Sequence, residues 1–152
     1  MRIFIMRHGD AEAFAATDAE RPLSELGQKQ SLQAAKNCKQ KEVVQFDLAL
    51  VSPYLRAQQT WQILSQILTA DKIEECDDIT PYGDSESVVD YVCALAEAQT
   101  LESVILVSHL PLVGYLTADF VTGIHPPMFP TSAMVCIDYD LEARNGEIIW
   151  QL

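Results

Sequence analysis

Positive charge is what this chain has least of. Its 152 residues include 10 Lys and Arg against 22 Asp and Glu, for a formal net charge of −12 and a sequence pI of about 4.4. A field of that sign repels phosphate backbones, which disfavours general nucleic-acid or anionic-membrane binding. No apolar stretch reaches the roughly 18 residues that suggest a membrane span. No CxxC occurs, and Cys38, Cys76, Cys93 and Cys136 lie far apart, so neither a zinc ribbon nor a redox dithiol is indicated. Reduced thiols in a cytoplasmic protein are the expectation. Residues 2–6 are too short for the apolar region of a signal peptide and run directly into Arg7-His8. Internal repeats, low-complexity tracts and linkers are also missing. With 49% hydrophobic and 21% charged residues, 1–152 is expected to be one globular domain with a real core.

What is present alternates. Residues 2–6, 47–51 and 103–107 read as short buried strands. Between them, helical spacing runs from the N-cap Ser24 to about Lys39, from Tyr54 to Leu68, and from near Ser85 to about Ala98. Pro111 suits the first turn of a further helix reaching about Val121. Residues 9–23 and 76–84 read as loops, and Gly123 to Pro130 holds three prolines and is irregular. Residues 132–139 and 147–152 form a final strand pair around Arg144-Asn145-Gly146. Alternating strands and helices predict an α/β domain with a largely parallel sheet.

The three central apolar runs end in a telling way. Ile3-Phe4-Ile5-Met6 ends in Arg7-His8-Gly9, Leu48-Ala49-Leu50-Val51 ends in Ser52-Pro53 with Arg56 one turn later, and Val104-Ile105-Leu106-Val107 ends in Ser108-His109. Ligands of an open parallel sheet bind outside the carboxyl ends of its strands. Two arginines and two imidazoles converging there suit a phosphoryl group, because guanidinium binds such oxygens bidentately. Gly9 is expected to permit a sharp turn and close approach of an anion. In so acidic a chain the site must be a local positive pocket, and Arg7, Arg21 and Arg56 are the material for it. Each motif alone has a bland reading: a polar strand end, an idle capping histidine, a surface arginine. Matching placement of two histidines reverses that preference.

Together, Arg7-His8-Gly9, Ser52-Pro53-x-x-Arg56-Ala57-x-x-Thr60 and Ser108-His109 resemble the histidine phosphatase superfamily, whose pattern is RHG, SP-x-x-R-A-x-x-T and SH in that order. Arg21-Pro22-Leu23-Ser24, Thr80-Pro81-x-Gly83-Asp84, the segment from Ser108 to Tyr115 and Pro126-Pro127-Met128-Phe129 extend the likeness to the branch of small phosphohistidine phosphatases. The resemblance implies a three-layer α/β/α sandwich with a mostly parallel central sheet and no large cap. It implies His8 as the phosphorylated nucleophile, with Arg7, Arg56 and His109 around the phosphate and Arg21 as an auxiliary contact. No metal or other cofactor is implied. The expected partner is a transiently docked histidine-phosphorylated protein, a phosphotransfer domain or phosphocarrier, and inorganic phosphate is the product.

The residue chemistry agrees. A neutral imidazole attacks phosphorus, and the ordinary histidine pKa near 6.5 makes that form accessible. Arg7, Arg56 and a protonated His109 would stabilise the equatorial oxygens. A general acid is harder to place. Leu110-Pro111 follows the second histidine, and nothing selects among the loop acids Asp77, Asp78, Asp84 and Glu86, which read as solvated or helix-capping residues. An imidazole leaving group needs no such donor, whereas an alkoxide does. Other readings are a small-molecule phosphomonoesterase using a loop acid, a mutase, and a non-catalytic phosphate-binding module. Trp61 and Trp150 are expected in the core or on a sheet face, His125 is expected exposed and idle, and the 123–130 segment is expected to pack as a rigid loop.

Overall fold

The computed structural model describes residues 1–152. Six strands form one sheet: β1 (Arg2–Arg7), β2 (Gln45–Val51), β3 (Thr69–Glu75), β4 (Ser103–Ser108), β5 (Met134–Asp140) and β6 (Asn145–Gln151). Their order is β3-β2-β4-β1-β5-β6. The first four are mutually parallel, and β5 and β6 add an antiparallel hairpin beside β1. The helices are α1 (Glu25–Gln40), α2 (Leu55–Leu64), α3 (Ser85–Gln99) and α4 (Leu112–Phe120).

The pleat sorts the strand residues onto two faces. Ile3, Ile5, Leu48, Leu50, Val104 and Leu106 pack with α3 and α4. Phe4, Met6, Ala49, Val51, Ile105 and Val107 pack with α1 and α2. All twelve are buried, which is why these strands read as unbroken apolar runs. The result is the α/β domain with a largely parallel sheet that the alternating pattern predicts, in the single-domain three-layer form that the resemblance implies. Ser24 caps α1 by accepting the Gly27 N–H at 3.0 Å, and Asp84 caps α3 by accepting the Ser87 N–H at 3.0 Å.

Two elements differ from expectation. Strand β3 carries Asp71, Lys72, Glu74 and Glu75 with no apolar alternation, so its sequence gives no strand signal. Parallel pairing to β2 makes it a strand, and its charges blunt a sheet edge against further pairing. Helix α2 stops at Leu64 rather than Leu68. The apolar spacing continues because Leu68 is a fully buried residue of the turn into β3. In the last hairpin the turn occupies residues 141–144, with Arg144 left-handed at φ 54°, and Asn145 and Gly146 already belong to β6. Trp61 is in the core, Trp150 is half-buried with its ring 5.9 Å from Phe4, and His125 is exposed. The four cysteines are buried and unpaired. No helix is long and apolar enough to cross a membrane.

Candidate active site

Strands β1, β2 and β4 are adjacent and parallel, so their carboxyl ends meet on one rim of the sheet. That placement brings the RHG, SP-x-x-R and SH segments together. The His8 and His109 rings lie 5.0 Å apart, centroid to centroid. Arg56, from the first turn of α2, donates from Nε to His8 Nε2 at 3.2 Å. His8 Nδ1 lies 2.6 Å from the Gly9 carbonyl, which only accepts. Nδ1 therefore carries the hydrogen, and the lone pair sits on Nε2, inside the site.

Burial and the neighbouring Arg56, Arg7 and Arg21 charges hold His8 at a pKa of about 4, despite the opposing Gly9 hydrogen bond. His8 is thus neutral at physiological pH. His109 is pushed further, to about 2, first by burial and then by His8 and Arg56. This corrects the expectation of a standing imidazolium at His109. Among its protein neighbours it is neutral, and a phosphoryl dianion beside it would favour its proton.

His109 Nε2 pairs with Ser52 Oγ at 2.7 Å, and the Tyr54 and His109 rings make a T-shaped contact with centroids 5.0 Å apart. The same Tyr54 ring lies 5.0 Å from the Arg56 guanidinium carbon, a cation–π contact. Arg7 donates from Nη1 to the Phe129 carbonyl at 2.8 Å, tying the 123–130 segment to the site. Two buried side-chain polar atoms in the chain have no hydrogen-bond partner, and both are here: Arg7 Nε and His109 Nδ1. Buried polar atoms are nearly always bonded. A tetrahedral oxyanion bound beside them would offer acceptors to both.

Gly9 serves a different purpose from the one expected. A Cβ there would stand 2.6 Å from the Gly27 carbonyl oxygen and 2.8 Å from Ser31 Oγ. The missing side chain admits α1 rather than an anion, and no positive φ is involved. Gly27 answers from the other side, since its own Cβ would overlap the Asp10 carbonyl. Thr60 completes the anchor by accepting the Gly9 N–H at 3.1 Å. Ser108 Oγ donates to the Ile79 carbonyl at 2.7 Å and fixes the 76–84 loop beside β4.

Arg21 hydrogen-bonds to neither imidazole. It donates to the Asp18 carboxylate at 2.8 Å and to the Glu12 carbonyl at 2.7 Å. Asp18 also takes Arg56: its carbonyl accepts Nη1 at 2.7 Å and its carboxylate accepts Nη2 at 3.2 Å. The Arg21 and Arg56 hydrogen bonds hold the Asp18 carboxyl below its ordinary range. Asp18 and Tyr54 carry no signal in the sequence reading, since one is another acid of an acidic loop and the other a lone aromatic. Asp77, Asp78, Asp84 and Glu86 are exposed, and none hydrogen-bonds to Arg7, His8, Arg56 or His109. Asp84 is held below its ordinary pKa by the Ser87 hydroxyl and N–H, which suits a cap and not a proton donor. No group of three or more His, Cys, Asp or Glu side chains converges as a metal site would.

The sequence model of the histidine phosphatase superfamily (branch 1) matches residues 3–81, which include the first two motifs. Phosphohistidine phosphatase SixA of Escherichia coli is 42% identical over 153 residues, covering 100% of this chain and 93% of that protein. The SixA homolog of Haemophilus influenzae is 38% identical, covering 98% and 93%. The structure of the protein histidine phosphatase SixA complexed with tungstate superposes with a TM-score of 0.94 at 42% identity, over 100% of this chain and 96% of that one. Likeness over the whole length, with the late SH segment included, means that this chain belongs to the histidine phosphatase superfamily.

Proposed function

We propose that this protein is a phosphohistidine phosphatase. It removes phosphate from a histidine-phosphorylated protein, a phosphotransfer domain or phosphocarrier, through a phospho-His8 intermediate. The observation that carries the reading is the pair of orphaned buried atoms, Arg7 Nε and His109 Nδ1, in the same site as the lone pair of a neutral His8. The whole-chain likeness to SixA supplies the substrate class.

In the first step His8 Nε2 attacks phosphorus, and the P–N bond to the substrate imidazole breaks. The electron pair leaves on that imidazole, which is neutral when its other nitrogen bears a proton. No acid from the enzyme is needed, consistent with the placement of Asp77, Asp78, Asp84 and Glu86. Arg7 and Arg56 spread the charge of the transferring group, and His109 gains affinity for a proton as that charge arrives. Arg21 acts at one remove, through Asp18. In the second step a water oxygen bonds phosphorus, the P–N bond to His8 breaks, and inorganic phosphate departs. The Gly9 carbonyl holds the Nδ1 hydrogen throughout, so Nε2 is regenerated in its attacking form.

The four buried, unpaired cysteines support a reducing compartment, the cytoplasm. Burial lifts Cys38 and Cys136 to about 12 and 11, which leaves them unreactive.

Initial rates on a phosphorylated phosphotransfer domain and on a panel of phosphoesters, with an alkaline detergent quench to trap phosphoenzyme, test the reading. The expected outcome is preference for phosphohistidine, with acid-labile label on the wild type and none on His8→Ala. Normal turnover by His8→Ala ends the nucleophile assignment. Preference for an ester, abolished in Asp84→Asn, installs the phosphomonoesterase instead.

A further inference from the structure

The three most exposed large apolar side chains of the molecule are Phe14 at 91%, Tyr82 at 84% and Met128 at 80%. The next, Leu26 and Ile73, are only 56% exposed. Single apolar residues on a surface are ordinary. These three are not scattered. Phe14 lies on the 9–23 loop, four residues before Asp18, which grips Arg56. Tyr82 lies on the 76–84 loop, three residues after Ile79, whose carbonyl takes Ser108 beside His109. Met128 precedes Phe129, whose carbonyl takes Arg7. Each therefore stands on a segment bonded directly to a different wall of the site.

We infer that Phe14, Tyr82 and Met128 are the docking contacts for the protein that carries the phosphohistidine. The inference rests on the phosphatase reading above and adds the means of partner choice. A phosphoryl group and its imidazole are the same on every phosphohistidine, so the Arg7, His8, Arg56 and His109 cluster cannot tell one carrier from another. Side chains standing around the mouth can. Aromatic residues and methionine are enriched in such interfaces. The charge around them fixes the partner further. The two loops that bear Phe14 and Tyr82 also bear Asp10, Glu12, Asp18, Glu20, Asp77, Asp78 and Asp84, against Arg21 alone. The complementary surface is a folded protein whose phosphohistidine is flanked by apolar side chains and by Lys or Arg.

Two substrates separate docking from chemistry: a phosphorylated phosphotransfer domain with basic residues beside its phosphohistidine, and phosphoramidate, which is too small to reach the rim. The variants are Phe14→Ser, Tyr82→Ser, Met128→Ser and the triple substitution. These side chains are exposed, so thermal unfolding should be unchanged, and that is measured first. On the phosphorylated domain, kcat/KM should fall roughly tenfold for the best single variant and roughly 10²–10³-fold for the triple variant. On phosphoramidate it should change less than twofold. Raising salt should lower the rate on the domain more than the rate on phosphoramidate. Equal loss on both substrates, or no loss on the domain, overturns the inference. So does a wild-type dimer that the triple variant dissociates, because the rim would then serve self-association. If the wild type turns over neither phosphohistidine nor phosphoramidate, the phosphatase reading itself fails, and that outcome is distinct from the others.

Discussion

Arg7, His8, Ser52, Ser108 and His109 stand at or just beyond the ends of three adjacent strands, while Phe14, Asp18, Tyr82 and Met128 stand on loops around them. His8, Ser52, Ser108 and His109 are buried, whereas every member of the second group is exposed. The floor is fixed by sheet order: once β1, β2 and β4 pair in register, its atoms have little freedom. The rim is tied to the floor by side-chain hydrogen bonds: Arg7 to Phe129, Ser108 to Ile79 and Arg56 to Asp18. The contrast teaches a division of labour. On the proposed reading, the rigid, desolvated groups are the ones that handle phosphorus, where ångström placement matters. Exposed loops are free to change with the partner.

The largest expected effect breaks the floor by pH. His8 and His109 have folded-state pKa values of about 4 and about 2, against an ordinary 6.5. Below pH 6.5 the unfolded chain binds protons that the folded chain refuses, so stability falls with falling pH. The loss from His8 continues to about pH 4 and that from His109 to about pH 2. At pH 5 each histidine costs roughly 2 kcal/mol relative to neutrality. Urea unfolding at pH 7.5 and pH 5 should reveal a loss of about 4 kcal/mol, halved in His109→Asn. A pH-independent midpoint would refute the neutral, desolvated floor.

A smaller effect tests how the floor is anchored. By helix propensity alone, Gly27→Ala should stabilise α1 by about 1 kcal/mol. The Asp10 carbonyl occupies the space of that methyl group, and overpacking of backbone on backbone costs about 1–3 kcal/mol. A Cβ only 2.0 Å from the Asp10 carbonyl oxygen is a severe overlap, so the clash wins, and net destabilisation of up to about 2 kcal/mol is expected. Phosphoramidate turnover should fall with it, because the Gly9-Asp10 turn carries His8. Thermal unfolding of Gly27→Ala decides the sign.

The smallest effect is expected where rim meets floor. Asp18 is half-exposed and competes for the Arg56 Nη2 that a phosphoryl oxygen would use. Asp18→Asn should tighten competitive inhibition by inorganic phosphate several-fold, the scale of a solvent-screened ion pair of up to about 1 kcal/mol. Weaker inhibition would mean that Asp18 chiefly orients Arg56.

The same contrast explains what could be read from sequence. Buried parallel strands must be apolar throughout, so a charged residue directly after such a run announces itself. Arg7, His8 and His109 were legible for that reason. Arg56 was legible through its spacing from Ser52-Pro53. Asp18 was not, because an acid among many acids has no pattern and its partners come from folding. Strand β3 was hidden because pairing, not burial, defines it. The reason for Gly9 was misplaced, since the close approach it permits is to Gly27, eighteen residues away. Nothing in the sequence signals that the buried surroundings of His109 refuse it a proton.

The place of β1 in the sheet also sets when the catalytic floor exists. Although made first, β1 is flanked by β4 and by β5, which begins at Met134. The Arg7 N–H and His8 carbonyl are themselves taken by Ala133 and Ser132. During synthesis, Arg7 and His8 therefore wait until β5 has been made before their surroundings close. Such long-range pairing is slow to form. Until it does, His8 is an ordinary solvated imidazole with no Arg56 or His109 beside it. On the proposed reading, a nascent or truncated chain carries His8 but not the site around it, so completion of the sheet is what would switch the chemistry on.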